Sequence, residues 1–329
     1  MKKIAVNVLR VVIPVGFGIY LAWYFWSGMP QKDKDQVWNI FSRFNYLFIL
    51  LSLLACWISH YSRALRWSYM LEALGHKTNK WNNYHAVITG YFMNMLLPRA
   101  GEISRAGVIA RYEGIPFEKA FGTIMAERVI DLIIFIASAV VTLALQGEKY
   151  PLMIDKYNEL KRHYASEKSS LGLYVLIALA VICLACALMY FRNEKFRKKV
   201  NSVLRGFGDG LLTVVRLKKR WQFLGHTLLI WSMYLTLYWV VFLGIPETAD
   251  ISPKGMLLGF LAGGLAIILV PGGIGIYPVF VAAALSFYCS DYPVLYGLGW
   301  LAWISQTILI VGAGVISLYL VPKLNRKTA

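Results

Sequence analysis

The chain has 329 residues, 58% of them hydrophobic and only 16% charged, where a soluble domain carries about 25% charged residues. With a mean hydropathy of +0.56, these values exclude an ordinary soluble globule. A net charge of +17 would suggest nucleic acid as a partner for a soluble protein. In a membrane protein, lysine and arginine concentrated on cytoplasmic loops account for it, and no nucleic-acid partner is expected.

A bilayer core about 30 Å thick is crossed by roughly 20 apolar residues in a helix, which satisfies every backbone polar group internally. By that measure full spans are expected near Val8–Trp26, Phe44–His60, Ala120–Leu145, Leu171–Phe191, Phe223–Leu243 and Val294–Leu320. The first begins with Lys2, Lys3 and Arg10, but has no small-x-small cleavage site and ends in Trp23, Tyr24 and Trp26, so it is expected to be an uncleaved span. His85–Leu97 is too short to cross and runs into the charged stretch Pro98–Tyr112. Lys149–Lys168 is polar and of mixed charge, an exposed loop or short helix. Cys183 and Cys186 lie inside an uncharged span with no second ligand pair, so they are expected to pack, not to hold a metal. Met256–Ser290 is uncharged for 35 residues and broken by Pro271-Gly-Gly-Ile-Gly-Ile-Tyr-Pro278. The two misfit stretches are expected to be re-entrant helical hairpins, which are tolerated where the turn is buried or lines a cavity. The fold expected is an all-α polytopic membrane protein with six full transmembrane helices and two such hairpins.

Charge orients this arrangement. Segments placed in the cytoplasm hold 24 Lys and Arg residues, outside loops hold nine, and Arg128 lies within a span. Both termini are therefore expected to be cytoplasmic, in the cell (inner) membrane. Pro98 and Pro271 mark the breaks and are 173 residues apart; the same shift carries Ala120–Leu145 almost onto the last span. An inverted-topology repeat is expected, with one half over 1–147, the other over 171–329, and a basic linker over 192–222. The linker's ten basic and two acidic residues alternate with apolar ones, which suits either a helix on anionic headgroups or an ordinary cytoplasmic loop. Paired broken helices in inverted halves point to a transporter site.

The segment Asn94-Met-Leu-Leu-Pro98-Arg99-Ala-Gly-Glu102-Ile-Ser-Arg105 carries most of the chemistry. Pro98 suits a helix's first turn, whose free N–H groups and positive dipole end seat phosphate. Arg99, Glu102 and Arg105 follow at three-residue spacing, and arginine grips phosphate oxygens bidentately. Either a headgroup-phosphate cradle or a solvated juxtamembrane helix has this pattern; charge beside a membrane break favours the cradle. Glu127, Arg128 and Asp131 lie further into the next span, where ionised groups must be paired or hydrated. Arg128 and Asp131, at i, i+3, could pair, and Glu127 and Asp131 share a face at i, i+4, leaving Glu127 free for Arg99, Arg105 or Arg128. These residues suit a ligand site or a structural ion cluster, or both. Arg63 and Arg66 flank the end of the second span and are expected by default to snorkel, with phosphate contact as the alternative. Pro271, Gly272, Gly273 and Gly275 form the counterpart break, with a tight positive-φ turn. Gly259 and Gly263 are a small-xxx-small packing pair.

The run Asn94–Arg105, the Glu127-Arg128-x-x-Asp131 cluster, Arg63-x-x-Arg66-Trp67 and the late Pro271-Gly-Gly-Ile-Gly together resemble the membrane region of lysylphosphatidylglycerol synthases, which also occurs alone in flippase-like membrane proteins. The resemblance covers nearly the whole chain. It implies lipid translocation between leaflets and hairpins within the bilayer, with Arg99, Glu102, Arg105, Glu127, Arg128 and Asp131 lining the lipid path. It does not bring the synthase activity, because no soluble aminoacyl-transfer domain is present in these residues.

The leading expectation is a translocase for an anionic phospholipid or lipid-linked phosphate, with membrane lipids as partners and room for a homodimer. No cofactor, metal or catalytic residue is expected. The alternatives are an intramembrane enzyme acting on a lipid or polyprenyl phosphate, and a small-anion transporter. Against the enzyme, no nucleophile–histidine pair is evident, and His60, His85 and His226 stand apart as packing or interface residues.

Overall fold

The computed structural model describes residues 16–97, 99–155, 192–194, 197–198, 201 and 217–325. Pro98, the start of the first span, Leu171–Phe191 with Cys183 and Cys186, and most of the 192–222 linker lie outside the described residues. Every regular element among the described residues is helical. A helix over 16–28 (α1) leads to α2 (Gln31–Arg43), α3 (Leu47–Ala73), α4 (Lys80–Leu96), α5 (Ala100–Glu113) and α6 (Phe117–Ala144). A helical stretch Gly147–Asp155 follows α6 at a 57° bend. Beyond the linker come α7 (Arg220–Phe242), the single turn α8 (Pro246–Ala249), α9 (Pro253–Leu269), a 3₁₀ turn at Pro271–Gly273, α10 (Tyr277–Leu285) and α11 (Tyr292–Leu324).

This is an all-α membrane protein, and its surface carries large apolar side chains while several charged groups are buried. Leu50, Val140 and Leu228 lie 63–71% exposed, while Ser59, His60, Arg63 and Arg66 are buried. Apolar side chains outside and polar groups inside are the stable arrangement where the solvent is hydrocarbon. Three described helices, α3, α7 and α11, are long and apolar enough to cross a membrane, and α6 with its bent continuation makes a fourth. The second span is longer than the expected Phe44–His60. It runs through Arg63 and Arg66 to Ala73, because both guanidinium groups find partners inside the protein.

The offset of 173 residues recurs in the helices themselves. Shifted by it, α4 falls on α9 at both ends, and Leu47 at the start of α3 falls on Arg220 at the start of α7. Both short helices open on a side-chain cap: Asn79 accepts from the Trp81 N–H at 2.8 Å, and Ser252 from the Gly255 N–H at 3.4 Å. The breaks match in backbone detail. Leu97 and Val270 are both extended, with φ −138° and −124°. Arg99 and Gly272 are both left-handed, at φ 64°, ψ 6° and φ 65°, ψ 6°. Ala100 donates to the Leu97 carbonyl at 3.1 Å as Gly273 does to that of Val270 at 2.7 Å. Gly273 and Gly275 also take positive φ, so this break is the tight turn expected of its glycines.

The α4–α5 hairpin closes backbone to backbone at Gly90 and Gly101. A Cβ on Gly101 would strike the Gly90 carbonyl and lie 2.5 Å from Asn94 Cγ. Gly101→Ala is therefore expected to cost about 1–3 kcal/mol by overpacking. Gly107→Ala on the same helix meets open space and should be neutral or slightly stabilising. Thermal unfolding of the detergent-solubilised variants checks this, and equal midpoints would show that the hairpin does not close there.

Candidate functional site

Glu127 and Asp131 stand one turn apart on α6 and draw three arginines onto themselves from two other helices. Arg63 Nη1 lies 2.7 Å from Glu127 and 2.6 Å from Asp131. Arg66 Nη2 lies 2.7 Å and 2.9 Å from the same two carboxylates. Arg105, from α5, reaches the second oxygen of Glu127 at 2.7 Å. An unpaired buried charge costs several kcal/mol, so each of these groups depends on the others. Three guanidinium groups on two carboxylates leave one positive charge over.

Aromatic rings frame the cluster. The Arg105 guanidinium sits 3.9 Å from the centre of the Trp67 ring, whose N–H donates to Thr123 at 2.8 Å. Arg63 lies 5.9 Å from the rings of both Tyr91 and Tyr234 and donates to the Tyr234 hydroxyl at 3.2 Å. Arg66 donates to Thr227 at 3.1 Å. Ring faces attract cations, so the aromatic frame adds to the hold on the guanidinium groups.

In front of this wall is a cavity of about 720 Å³. Its polar end is made by Arg63, Asn94, Arg99, Glu102, Arg128 and Asp131. Its other walls are apolar, with Leu132 and Phe135 from α6 and Ile267, Ile268 and Leu269 from α9. Leu132, Ile267, Ile268 and Leu269 are also among the exposed apolar residues, so the cavity is not sealed within the core. Both breaks open on it, the first through Arg99 and the second through Pro271 and Gly272.

Arg99 is unusual twice over. It is the one non-glycine at positive φ among the described residues, a conformation that costs about 1–3 kcal/mol. The repeat places a glycine at the matching position. Arg99 is also exposed, and makes no ion pair or hydrogen bond among the described residues. Arg128, by contrast, contacts Glu102 at 3.1 Å and keeps 38% of its side chain exposed. Asn94 accepts from the Gly101 N–H at 2.7 Å and donates to Glu102 at 3.4 Å.

The structure therefore sorts the expected residues into two groups. Arg63, Asn94, Arg99, Glu102, Arg128 and Asp131 face the cavity, whereas Arg66, Arg105 and Glu127 lie behind its wall. Arg63 and Arg66 do not snorkel; they are 2% and 0% exposed. Arg128 pairs with Glu102 and not with Asp131, because Arg63 and Arg66 already hold that carboxylate. The N–H groups expected free at the α5 start are partly used, that of Ala100 by Leu97 and that of Gly101 by Asn94. The helix begins at Ala100, two positions after Pro98. Sequence reasoning missed Tyr91, Tyr234 and the role of Trp67, although Trp67 follows Arg63 at i+4 on one helical face. His60 also lines the cavity, its ring 4.4 Å from that of Tyr91, while His85 and His226 bond to Ser317 and Ser62. Among the described residues no group of three His, Cys, Asp or Glu side chains is disposed to hold a metal ion.

The model of the family described as the lysylphosphatidylglycerol synthase TM region matches residues 11–312. A UPF0104 membrane protein of Methanothermobacter thermautotrophicus is 22% identical over 253 residues, 70% of this chain and 72% of that protein. A UPF0104 membrane protein of Methanocaldococcus jannaschii is 27% identical over 139 residues, 41% of this chain; the match spans 40% of that relative's length. No solved structure matches the chain.

The two kinds of ion pair predict opposite sensitivities. Glu127→Ala strips partners from Arg63, Arg66 and Arg105 at once, and should cost about 3–5 kcal/mol or prevent folding. Arg43→Ala breaks the half-exposed pair with Glu247 and should cost no more than about 1 kcal/mol. Unfolding midpoints in detergent decide this, and similar small losses for both would mean that the cluster does not brace the fold.

Proposed function

This chain belongs to the lysylphosphatidylglycerol synthase transmembrane-region family, and from that premise we propose that it is a flippase-like translocase for an anionic, phosphate-bearing lipid. The observation that carries this reading is the charge around one amphipathic cavity. Five guanidinium groups, on Arg63, Arg66, Arg99, Arg105 and Arg128, face or back it, against three carboxylates on Glu102, Glu127 and Asp131. Two positive charges are uncompensated, and Arg99 presents one of them unpaired. A phosphate bound there relieves that imbalance through charge-assisted hydrogen bonds, while its acyl chains leave across the apolar walls into the bilayer. A volume of about 720 Å³ lies within the roughly 300–1,000 Å³ range of small-ligand pockets, enough for a headgroup without its tails.

The matching breaks give this reading a route. In it the two halves hold opposite orientations, one hairpin dips from the cytoplasm and the other from outside, and the cavity lies where their tips meet. Both termini are then cytoplasmic in a cell membrane, in keeping with the charge asymmetry of the loops. The ion cluster holds one wall rigid while lipid exchanges in front of it.

Arg99→Gly separates function from stability, because glycine is what the other half uses at this position. Relief of the left-handed strain is offset by glycine's greater freedom in the unfolded chain, so stability should be unchanged or higher by about 1 kcal/mol. Loss of one charged hydrogen bond should raise the half-saturating concentration for lipid movement by about tenfold or more. The assay follows labelled anionic lipid between leaflets of vesicles containing the purified protein, with phosphatidylcholine as the uncharged comparison. If the protein leaves movement of several anionic lipids unaccelerated, the reading fails.

A further inference from the structure

The ion pairs around the cavity differ in how firmly they are made. Arg63 and Arg66 each contact two carboxylates behind or within the wall, and the buried Arg105 contacts Glu127 at 2.7 Å. Arg128 has a single carboxylate partner, Glu102, at 3.1 Å, with side-chain exposures of 38% and 16%. Glu102 is itself half-satisfied. Its Oε1 takes Arg128 and the amide of Asn94, while its Oε2 is buried with no partner. Glu102 lies in the first turn of α5, three residues after the strained, unpaired Arg99, and both line the same cavity.

A phosphate brought between Arg99 and Arg128 would meet that carboxylate. Two anions on one guanidinium, in a site screened by apolar walls, repel strongly. Among the described residues Arg128 is the one cation paired with Glu102, and Arg63 is held by Glu127 and Asp131. Binding therefore requires that Arg128 change partners, and release requires that it change back. Resting on the anionic-lipid reading above, we infer that Glu102 is an internal stand-in for the ligand's phosphate. Its carboxylate holds Arg128 while the cavity is empty, yields it to a single incoming phosphate group, and reclaims it as that group leaves. The guanidinium is then never left bare in a low-dielectric space, and the ligand is bound loosely enough to be let go.

The test is the affinity and turnover of Glu102→Gln, which keeps the side chain's shape and its bond to Asn94 while removing the competing charge. Short-chain phosphatidic acid and inorganic phosphate are titrated separately into the detergent-solubilised full chain. E102Q should bind at least one of them about tenfold more tightly than wild type, and the probe that shows the gain identifies a lipid headgroup or a free phosphate as the occupant. In vesicles E102Q should show a lower half-saturating lipid concentration and a lower maximal rate of lipid movement, since release is slowed. A merely structural Glu102 would instead weaken binding and rate together. In an R128Q background the gain should vanish, because Glu102 acts through Arg128. Unchanged or weaker binding by E102Q, with wild type binding normally, overturns the exchange. If neither probe binds either protein, the anionic-ligand reading itself falls.

Discussion

Two carboxylates one helical turn apart, Glu127 and Asp131, make it feasible to keep three arginines inside a membrane-spanning body. Each arginine arrives from elsewhere in the chain, Arg63 and Arg66 from α3 and Arg105 from α5, so the cluster ties three helices to one point. Nothing weaker would hold them. In hydrocarbon there is no hydrophobic drive between helices, and association rests on close packing and on polar groups with no better partner. Here both operate, the ion cluster fastening α3 and α5 to α6 while Gly90 and Gly101 let α4 and α5 meet backbone to backbone. At the adjacent break Arg99 keeps a left-handed backbone and an unpaired charge.

The repeat gives one backbone plan two chemistries. Positions matching Arg63, Arg66, Arg105, Glu127 and Asp131 at the 173-residue offset are Thr236, Trp239, Pro278, Trp300 and Ile304. None is ionised. The second half therefore forms its break without a charge cluster, and fastens it with neutral groups; the Trp303 N–H donates to the Gly272 carbonyl at 2.7 Å. The result is a cavity whose ionic lining comes from the first half, with apolar lining from both. A lipid is amphipathic in the same sense, which is why we propose one as the occupant.

Much of this was legible in the amino-acid sequence, and for a physical reason. Hydropathy and glycine–proline punctuation report on local backbone and on contact with lipid, so they located the two breaks, the positive-φ turn at Gly272–Gly275 and the offset relating the halves. They also marked Arg99 and Glu102 as charges at a membrane break. What they do not encode is pairing across distance. Arg63 and Arg66 look like a span's charged end, because their partners lie more than sixty residues away on α6. That misplaced the end of the second span and turned two of the most buried side chains into surface anchors. The same blindness assigned Arg128 to Asp131, its neighbour at i+3, when Asp131 was already taken. The free N–H groups expected at α5 were lost to Asn94, a cap that sits seven residues upstream and meets Gly101 only once the hairpin closes.

The proposed translocase depends on excess positive charge in this cavity accepting a lipid phosphate. A cryo-electron microscopy map of the protein in nanodiscs containing an anionic phospholipid tests it most directly. Phosphate density is expected within hydrogen-bonding distance of Arg99 and Arg128, with acyl density following the Leu132 and Ile268 walls outward. Anionic lipid ordered only on the outer surface, with an acyl chain or nothing beside Arg99, would contradict it.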